Sequence, residues 1–344
     1  MNILQIIYIQ ICVIIEKDVF ILLPVEWGGF VKDWKTKRKT GIGGQALIEG
    51  VMMRGPQGIS IAVRKPDNEI EVEKRTAESY TRKNKILGLP FIRGSVALIE
   101  SLVIGINALT YSAQFFEEDD EQKETGVFDK LMKKIFRDKA DKVIMGFSVA
   151  ISVLLAVALF FVLPSAVIGF VKKISGSNFL RNFLEGIIRI IFLILYIYFI
   201  SKMNDIKRVF QYHGAEHKTI FCYENEEELT VDNARKYSTM HPRCGTNFLF
   251  IFMIISIFVF SFFGWPNLVA RVILRIVLLP VIAGISYEIL KFAGHSDSKI
   301  VHVLIYPGLL LQKLTTAEPD DSMLEVAIAA LKGVLTDDKE ANAW

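Results

Sequence analysis

The residues best equipped for chemistry crowd into one stretch of the chain. Of five histidines in 344 residues, three lie between positions 213 and 241. His213, Glu216 and His217 form H-x-x-E-H. On a helix, residues four apart share a face, so both imidazoles can reach one metal ion with Glu216 beside them. This is the order of the inverted zinc-hydrolase motif, in which the glutamate is the general base. Further on, His241-Pro-Arg-Cys244-Gly resembles half of a zinc knuckle. His213, His217, His241 and Cys244 together offer four nitrogen or sulfur donors for a divalent metal, zinc by donor type. Four ligands would close a structural tetrahedron; three and an open position would leave room for catalysis. A third alternative has the histidines serving backbone groups in a helical cap. Spacing alone leaves all three open. Glu224 could complete a hydrolase-type ligand set, whereas Glu226, Glu227, Glu228 and Asp232 read as a solvated face. Cys222 reads as a small buried residue. His295 and His302 belong to no motif.

A second segment, GIGGQALIEGVMMRGP at 41–56, is rich in glycine. It is no P-loop, because no Gly-Lys-Ser/Thr follows. Gly41, Gly43 and Ala46 match G-x-G-x-x-A, yet KTKRKT precedes them where a dinucleotide fold needs a strand. The glycines at 41, 43, 44, 50 and 55 mark sharp turns or close backbone approach. Gln45 and Glu49, four apart, are candidate site-lining residues if the middle is helical. The chain shows no nucleophile elbow, serine triad or kinase signature.

The elements that position these residues are largely apolar. The chain is 52% hydrophobic and 22% charged, with mean hydropathy +0.38. That excludes a disordered chain and argues against an ordinary soluble enzyme. Four segments approach the roughly 20 apolar residues that span a bilayer: 143–163, 183–201, 248–263 and 268–290, the last carrying Pro280. Gly264 to Asn267 makes the last two an antiparallel hairpin. Lys and Arg concentrate before the first span and in the 202–246 loop, which holds seven. The rule that positive loops stay inside therefore puts the N-terminal part, this loop and the C-terminal tail in the cytoplasm. Segment 94–116, with Glu100 at its middle, reads as a membrane-surface or re-entrant helix. Residues 1–30 begin with an apolar run too short for a span and lack signal-peptide flanks. A net charge of +3 is too small to argue for nucleic acid. The three cysteines give no disulfide framework.

Charges inside spans need partners or a route to the headgroups. Glu185 and Arg189 lie four apart and can pair. Arg271 reads as snorkelling, and Arg275 as a partner for Glu185. Residues 59–75 read as a β-hairpin turning at Pro66-Asp67-Asn68. Around 117–142 the chain reads as an acidic, then basic surface helix. Ser322 and Glu325 fit a capping box, ahead of Leu324, Ile328, Leu331 and Leu335 at helical spacing. The fold class is thus mostly α: a polytopic helical membrane protein of about four spans with a small cytoplasmic α+β part. Its divisions are an extension at 1–38, a soluble part at 39–142, a membrane domain at 143–290 containing the 202–246 loop, and a tail at 291–344.

GGQALIEGVMMRGP, YHGAEHKTI, HPRCGTNFLF, YPGLLLQKLTTAEPDD and EVAIAAL, in that order, resemble the bacterial YqhQ-like membrane protein family over residues 40–335. The resemblance implies a multi-pass protein of the bacterial cytoplasmic membrane, catalogued as a metal-dependent enzyme without a substrate. It implies metal-ligand roles for His213, His217, His241 and Cys244, and a base role for Glu216. Two functional classes follow. One is a metal-dependent hydrolase; the other is a membrane scaffold or assembly factor, with a structural zinc or none. The bilayer is the implied partner, an oligomer is compatible, and a transporter is disfavoured by the few polar groups within the spans.

Overall fold

A computed structural model describes residues 36–55, 58–76, 79–119, 140–170, 177–264, 266–296 and 298–336. The expectation for residues 1–30, most of the 117–142 surface helix, and the side chains of His295 and His302 lie outside the described residues.

The soluble part is built on a four-stranded antiparallel meander in the order β1 (Gly43–Leu47), β2 (Gly50–Arg54), β3 (Ile59–Arg64), β4 (Ile70–Arg75). The hairpin expected at 59–75 is β3–β4, with Val63 opposite Glu71 and Asn68 at φ 69° in the turn. The glycine-rich segment is a second hairpin and carries no helix: Leu47 pairs with Gly50, leaving a two-residue turn with Glu49 at φ 49°. Strand alternation splits the sheet into two faces. Val51, Met53 and Ala62 pack on one face with helices α6 (Asn204–Glu224) and α11 (Asp321–Val334). Leu47, Met52, Ile61 and Val63 pack on the other with helix α2 (Ile92–Ala113), through Ile104, Ala108 and Tyr111. The short helix α1 (Tyr80–Lys83) precedes α2.

Helix α11 buries Leu324, Ile328 and Leu331 as their spacing requires. Its cap differs from the expected box. Asp320 accepts from the Met323 amide at 3.0 Å, Ser322 donates to Asp320, and Glu325 pairs with Arg64 at 2.7 Å. Aspartate is as good a cap as serine, so the helix starts on the earlier residue.

The apolar part holds α3 (Ala140–Val157), a π-helical turn (Ala158–Val162), α4 (Leu163–Phe170) and α5 (Asn178–Ile200). After α6 and the short α7 (Val231–Arg235) come α8 (Gly245–Ser261), α9 (Leu268–His295) and α10 (Lys299–Thr315). The π turn sits before Pro164, which lacks the N–H that would bond the Phe160 carbonyl. Among the described residues, four helices are long and apolar enough to cross a membrane: Ile92–Phe116, Ala150–Gly169, Asn178–Ile200 and Leu268–Gly294. Leu154, Phe199, Val269 and Val277 are among their exposed apolar side chains, as lipid-facing surfaces require. The number matches the expectation; the membership does not. The helix expected as the third span, α8, has 17 residues and falls among the shorter apolar helices. The segment expected at the membrane surface qualifies by length in α2.

The embedded charges are gathered together. Arg189 bonds Glu185 at 2.8 Å, and Arg275 ion-pairs with the same carboxylate. Arg271, expected to snorkel, instead stands 3.8 Å from Glu185 and is 9% exposed. An intramembrane carboxylate one helix away offers it a nearer counter-charge than the headgroups do. Glu100 of α2 is also partnered, by Arg54 at 3.0 Å and Ser79 at 2.9 Å.

Candidate metal centre

Helix α6 carries the histidine motif on its buried face: Gly214 to Cys222 are all buried. The i, i+4 spacing sets the His213 and His217 rings 4.4 Å apart, centroid to centroid. Cys244, the N-cap residue of α8, enters from the side. Its Sγ lies 3.2 Å from His213 Nε2, and donor atoms of His213, His217 and Cys244 all fall within 4.8 Å of one another. Two main-chain carbonyls orient the imidazoles. His213 Nδ1 meets the Thr315 carbonyl at 2.8 Å, and His217 Nδ1 meets the Thr239 carbonyl at 2.5 Å. A carbonyl only accepts, so each Nδ1 carries a proton, and Nε2 is the atom that each imidazole can turn to a ligand. His217 Nε2 is buried and has no hydrogen-bond partner, and the same holds for Glu216 Oε2.

The electrostatics follow from this packing. Burial disfavours the Cys244 thiolate, but His213 and His217 together outweigh it and hold the thiol well below its ordinary pKa. Burial alone would lower His213; the neighbouring Cys244 raises it to about 9. Burial raises the Glu216 carboxyl, offset in part by the two imidazoles. Gly44 of β1 lies over Glu216. A Cβ there would stand 2.8 Å from Glu216 Cδ and 2.6 Å from the Met52 carbonyl oxygen, so glycine is required for the strand to cover the glutamate.

The remaining expected site residues are distributed around this trio. His241 is beside it, 5.6 Å from the His217 ring centroid, but belongs to a separate pair: its Nε2 lies 3.6 Å from Glu224. Glu224 also accepts from the Thr40 amide and hydroxyl, each at 2.9 Å, and binds Arg243. Burial would raise Glu224, yet His241 and Arg243 bring it down to about 2. Burial, with Arg243 and His217, pushes His241 down to about 4 against the pull of Glu224. Gln312 of α10 clamps the His241 main chain, accepting from its amide at 2.8 Å and donating to its carbonyl at 2.9 Å. Gln45 points to the opposite sheet face from Glu216: a Cβ on Gly105 of α2 would meet its Oε1 at 2.2 Å. Glu49 turns to Arg208 and to the Tyr212 hydroxyl at 3.2 Å. Cys222 is fully buried, and burial lifts its thiol to about 11. Thr239, Thr315 and Gln312 carry no motif, because two of them act through main-chain oxygens that any residue possesses. Gly44 did have a signal, as one of the closely spaced glycines.

The family of proteins described as "Protein of unknown function (DUF1385)" matches residues 89–337. The chain is also 36% identical over 302 residues to "Uncharacterized protein YqhQ" of Bacillus subtilis (strain 168), covering 88% of this chain and 94% of that protein. The chain belongs to the YqhQ-like DUF1385 family. No solved structure matches it. The matched DUF1385 region contains α6, Cys244 and Gln312. It begins after the sheet, so Gly44 and Glu49 lie outside it.

Proposed function

We propose that this YqhQ-like protein is a membrane-embedded metalloprotein whose divalent ion, zinc by donor type, is held by His213, His217 and Cys244 on the cytoplasmic side. The observation that carries the reading is the orientation of the imidazoles. Both Nδ1 atoms are tied to carbonyl oxygens, the arrangement that presents Nε2 to a metal, and His217 Nε2 is buried without any other partner. A thiolate and two neutral imidazoles suit zinc and leave a fourth position. The cytoplasmic placement rests on the basic 202–246 loop. It extends to the sheet and α11, which share one core with α6.

On this reading the protein is a hydrolase of unidentified substrate. When bound, zinc supplies a Lewis acid that makes water a competent nucleophile near neutral pH. Glu216 takes the proton at Oε2, the oxygen without a hydrogen-bond partner. Thr239 and Thr315 keep the imidazoles in one tautomer, and β1 screens the carboxylate from bulk water through Gly44. A second reading, a scaffold with a structural zinc, is favoured by one observation: Glu216 is 5% exposed and His217 1%, which leaves little room for a substrate. Glu216→Gln separates the two. The hydrolase reading expects zinc and fold retained and cellular function lost. The scaffold reading expects a silent change, with Cys244→Ser destabilising the protein. Folded wild-type protein free of metal sinks both.

A further inference from the structure

The sheet and helix α6 share one core, in which Val51, Met53 and Ala62 pack with Tyr212, Ala215 and Ile220. They therefore lie on one side of the membrane, and the chain between them must cross an even number of times. Three apolar runs between them are long enough to cross, in α2, in α3 with α4, and in α5. Residues 120–139 are too rich in charge to add another. One of the three runs cannot cross. The same count applies further on. Helices α6 and α11 also share that core, and among the described residues α9 alone reaches spanning length between them. A single crossing would part them, so a second helix has to return the chain.

The helix that stays on one side is α2, the least apolar of the three. Its first turn is held by the second half of α9: Arg93 bonds Glu288 at 2.7 Å and Ser95 donates to the Pro280 carbonyl at 2.5 Å. Its second half lies under the sheet through Ile104, Ala108 and Tyr111. The same sheet face carries Glu73 and Arg75, opposite Ile61 and Ile59, and Arg75 stands over the Tyr111 ring at 5.1 Å. Both charged side chains are about one-third exposed. A crossing α2 would carry that face of the sheet, charges included, into hydrocarbon. The other side of α2 presents Ile99, Leu102, Val103, Ile106 and Leu109, each at least 40% exposed. Their spacing of three and four residues makes one apolar stripe, opposite the stripe committed to the sheet.

We propose that α2 lies in the plane of the membrane, with its Ile99–Leu109 stripe seated in the lipid of the leaflet that faces α6, and that α8 crosses instead. A helix with one polar and one apolar side rests at the boundary of headgroups and acyl chains. Here the sheet takes the place of water over the other side, so the helix is a lipid-seated floor beneath the soluble part. Helix α8 suits the crossing. Its 17 residues carry no charge and span about 25 Å by helical rise, a shortfall that local thinning of the bilayer accommodates. It packs against α5, α9 and α10 and exposes Ile254 and Phe258. Helix α10 does not suit it, since it carries Lys299 and Lys313 and its Gln312 clamps His241.

The test places nitroxide labels on the full-length chain through Ile99→Cys, Val103→Cys and Ile106→Cys, one at a time, in vesicles of phosphatidylethanolamine and phosphatidylglycerol. The signal of the unsubstituted protein is subtracted. All three labels are expected to favour dissolved oxygen over a water-soluble nickel complex, and by the same ratio, because an in-plane helix keeps them at one depth. A graded ratio, equivalent to about 10 Å of depth between positions 99 and 106, means that α2 crosses and overturns the proposal. Preferential access of nickel means that water covers the stripe, and poor access of both reagents means that a protein partner or a second copy does; either overturns it. A second measurement needs no label on the stripe. Asp67→Cys before α2, Asp119→Cys after it and Asn267→Cys beyond α8 are treated in intact cells with a maleimide that does not pass the membrane. The first two must react alike and the third oppositely. Opposite results for Asp67→Cys and Asp119→Cys, or like results for Asp67→Cys and Asn267→Cys, overturn the arrangement.

Discussion

At the scale of single residues, the pair His241–Glu224 fixes how the protein responds to acid. Both groups have folded-state pKa values below their ordinary ones, at about 4 and about 2. A depressed value means that the unfolded chain binds the proton more readily. The contribution to stability is therefore complete above the unfolded pKa and lost as pH falls through the folded one. Stability should decline from about pH 6.5 as His241 titrates, and further below about pH 4.5 as Glu224 does. Denaturant unfolding at stepped pH checks this: His241→Asn should flatten the upper part of the decline. Glu224→Gln should flatten the lower part and cost about 3–5 kcal/mol at pH 7, since it breaks the buried ion pair with Arg243. A parallel decline in all three proteins would refute the assignment. The motif residues were legible at this scale because H-x-x-E-H and His-x-x-Cys declare themselves by type and spacing. The carbonyl oxygens of Thr239 and Thr315 were not, because every residue has one. Spacing also could not separate His241 from the trio, since Glu224 competes for it only once α6 is folded.

At the scale of elements, the sheet is a cover for the helix that bears the motif. Its hairpins were half legible: the turn at Asp67-Asn68 announces itself by composition. The glycines of 41–56, by contrast, allow several backbones. That ambiguity made Gln45 and Glu49 look like neighbours on a helix, whereas alternation in β1 sends Gln45 to the face of α2. Gly44→Ala tests the cover. Its Cβ would intrude on Met52 and Glu216, and forced overpacking of this kind costs about 1–3 kcal/mol. Gly43→Ala, with nothing within 4 Å of its Cβ, should shift the unfolding midpoint little. Equal losses in the two variants would mean that β1 does not press on Glu216. Helix α2 shows why apolar length alone misleads. One face is committed to the sheet through Ile104 and Ala108, while Ile99, Leu102, Val103 and Ile106 stay exposed. A helix lying along the bilayer surface and a helix crossing it share the same composition.

At the scale of the whole molecule, the soluble strands, the histidine helix and the C-terminal helix form one body beside the apolar helices. Leu331 sits in its centre with no exposure, so Leu331→Ala should cost about 2–5 kcal/mol and loosen the sheet as well as α11. Undiminished protease resistance of the strands in that variant would contradict a common core. The side of the membrane can be read with fusions at the C-terminus: a green fluorescent protein should fluoresce and an alkaline phosphatase should stay inactive. The opposite pattern would reverse the assignment from the basic loops. Hydropathy gave the number of candidate spans, but contacts between segments far apart in sequence decide which helices cover which.

The proposed metal centre joins these scales, since α6, α8 and α10 all contribute to the His213, His217 and Cys244 cluster. X-ray absorption at the zinc edge of the purified full-length protein tests it most directly. The expected spectrum shows one sulfur at about 2.3 Å and two imidazole nitrogens at about 2.0–2.1 Å, with the sulfur shell lost in Cys244→Ser. Zinc bound without a sulfur neighbour, or folded protein that binds no zinc, would contradict a centre made by His213, His217 and Cys244.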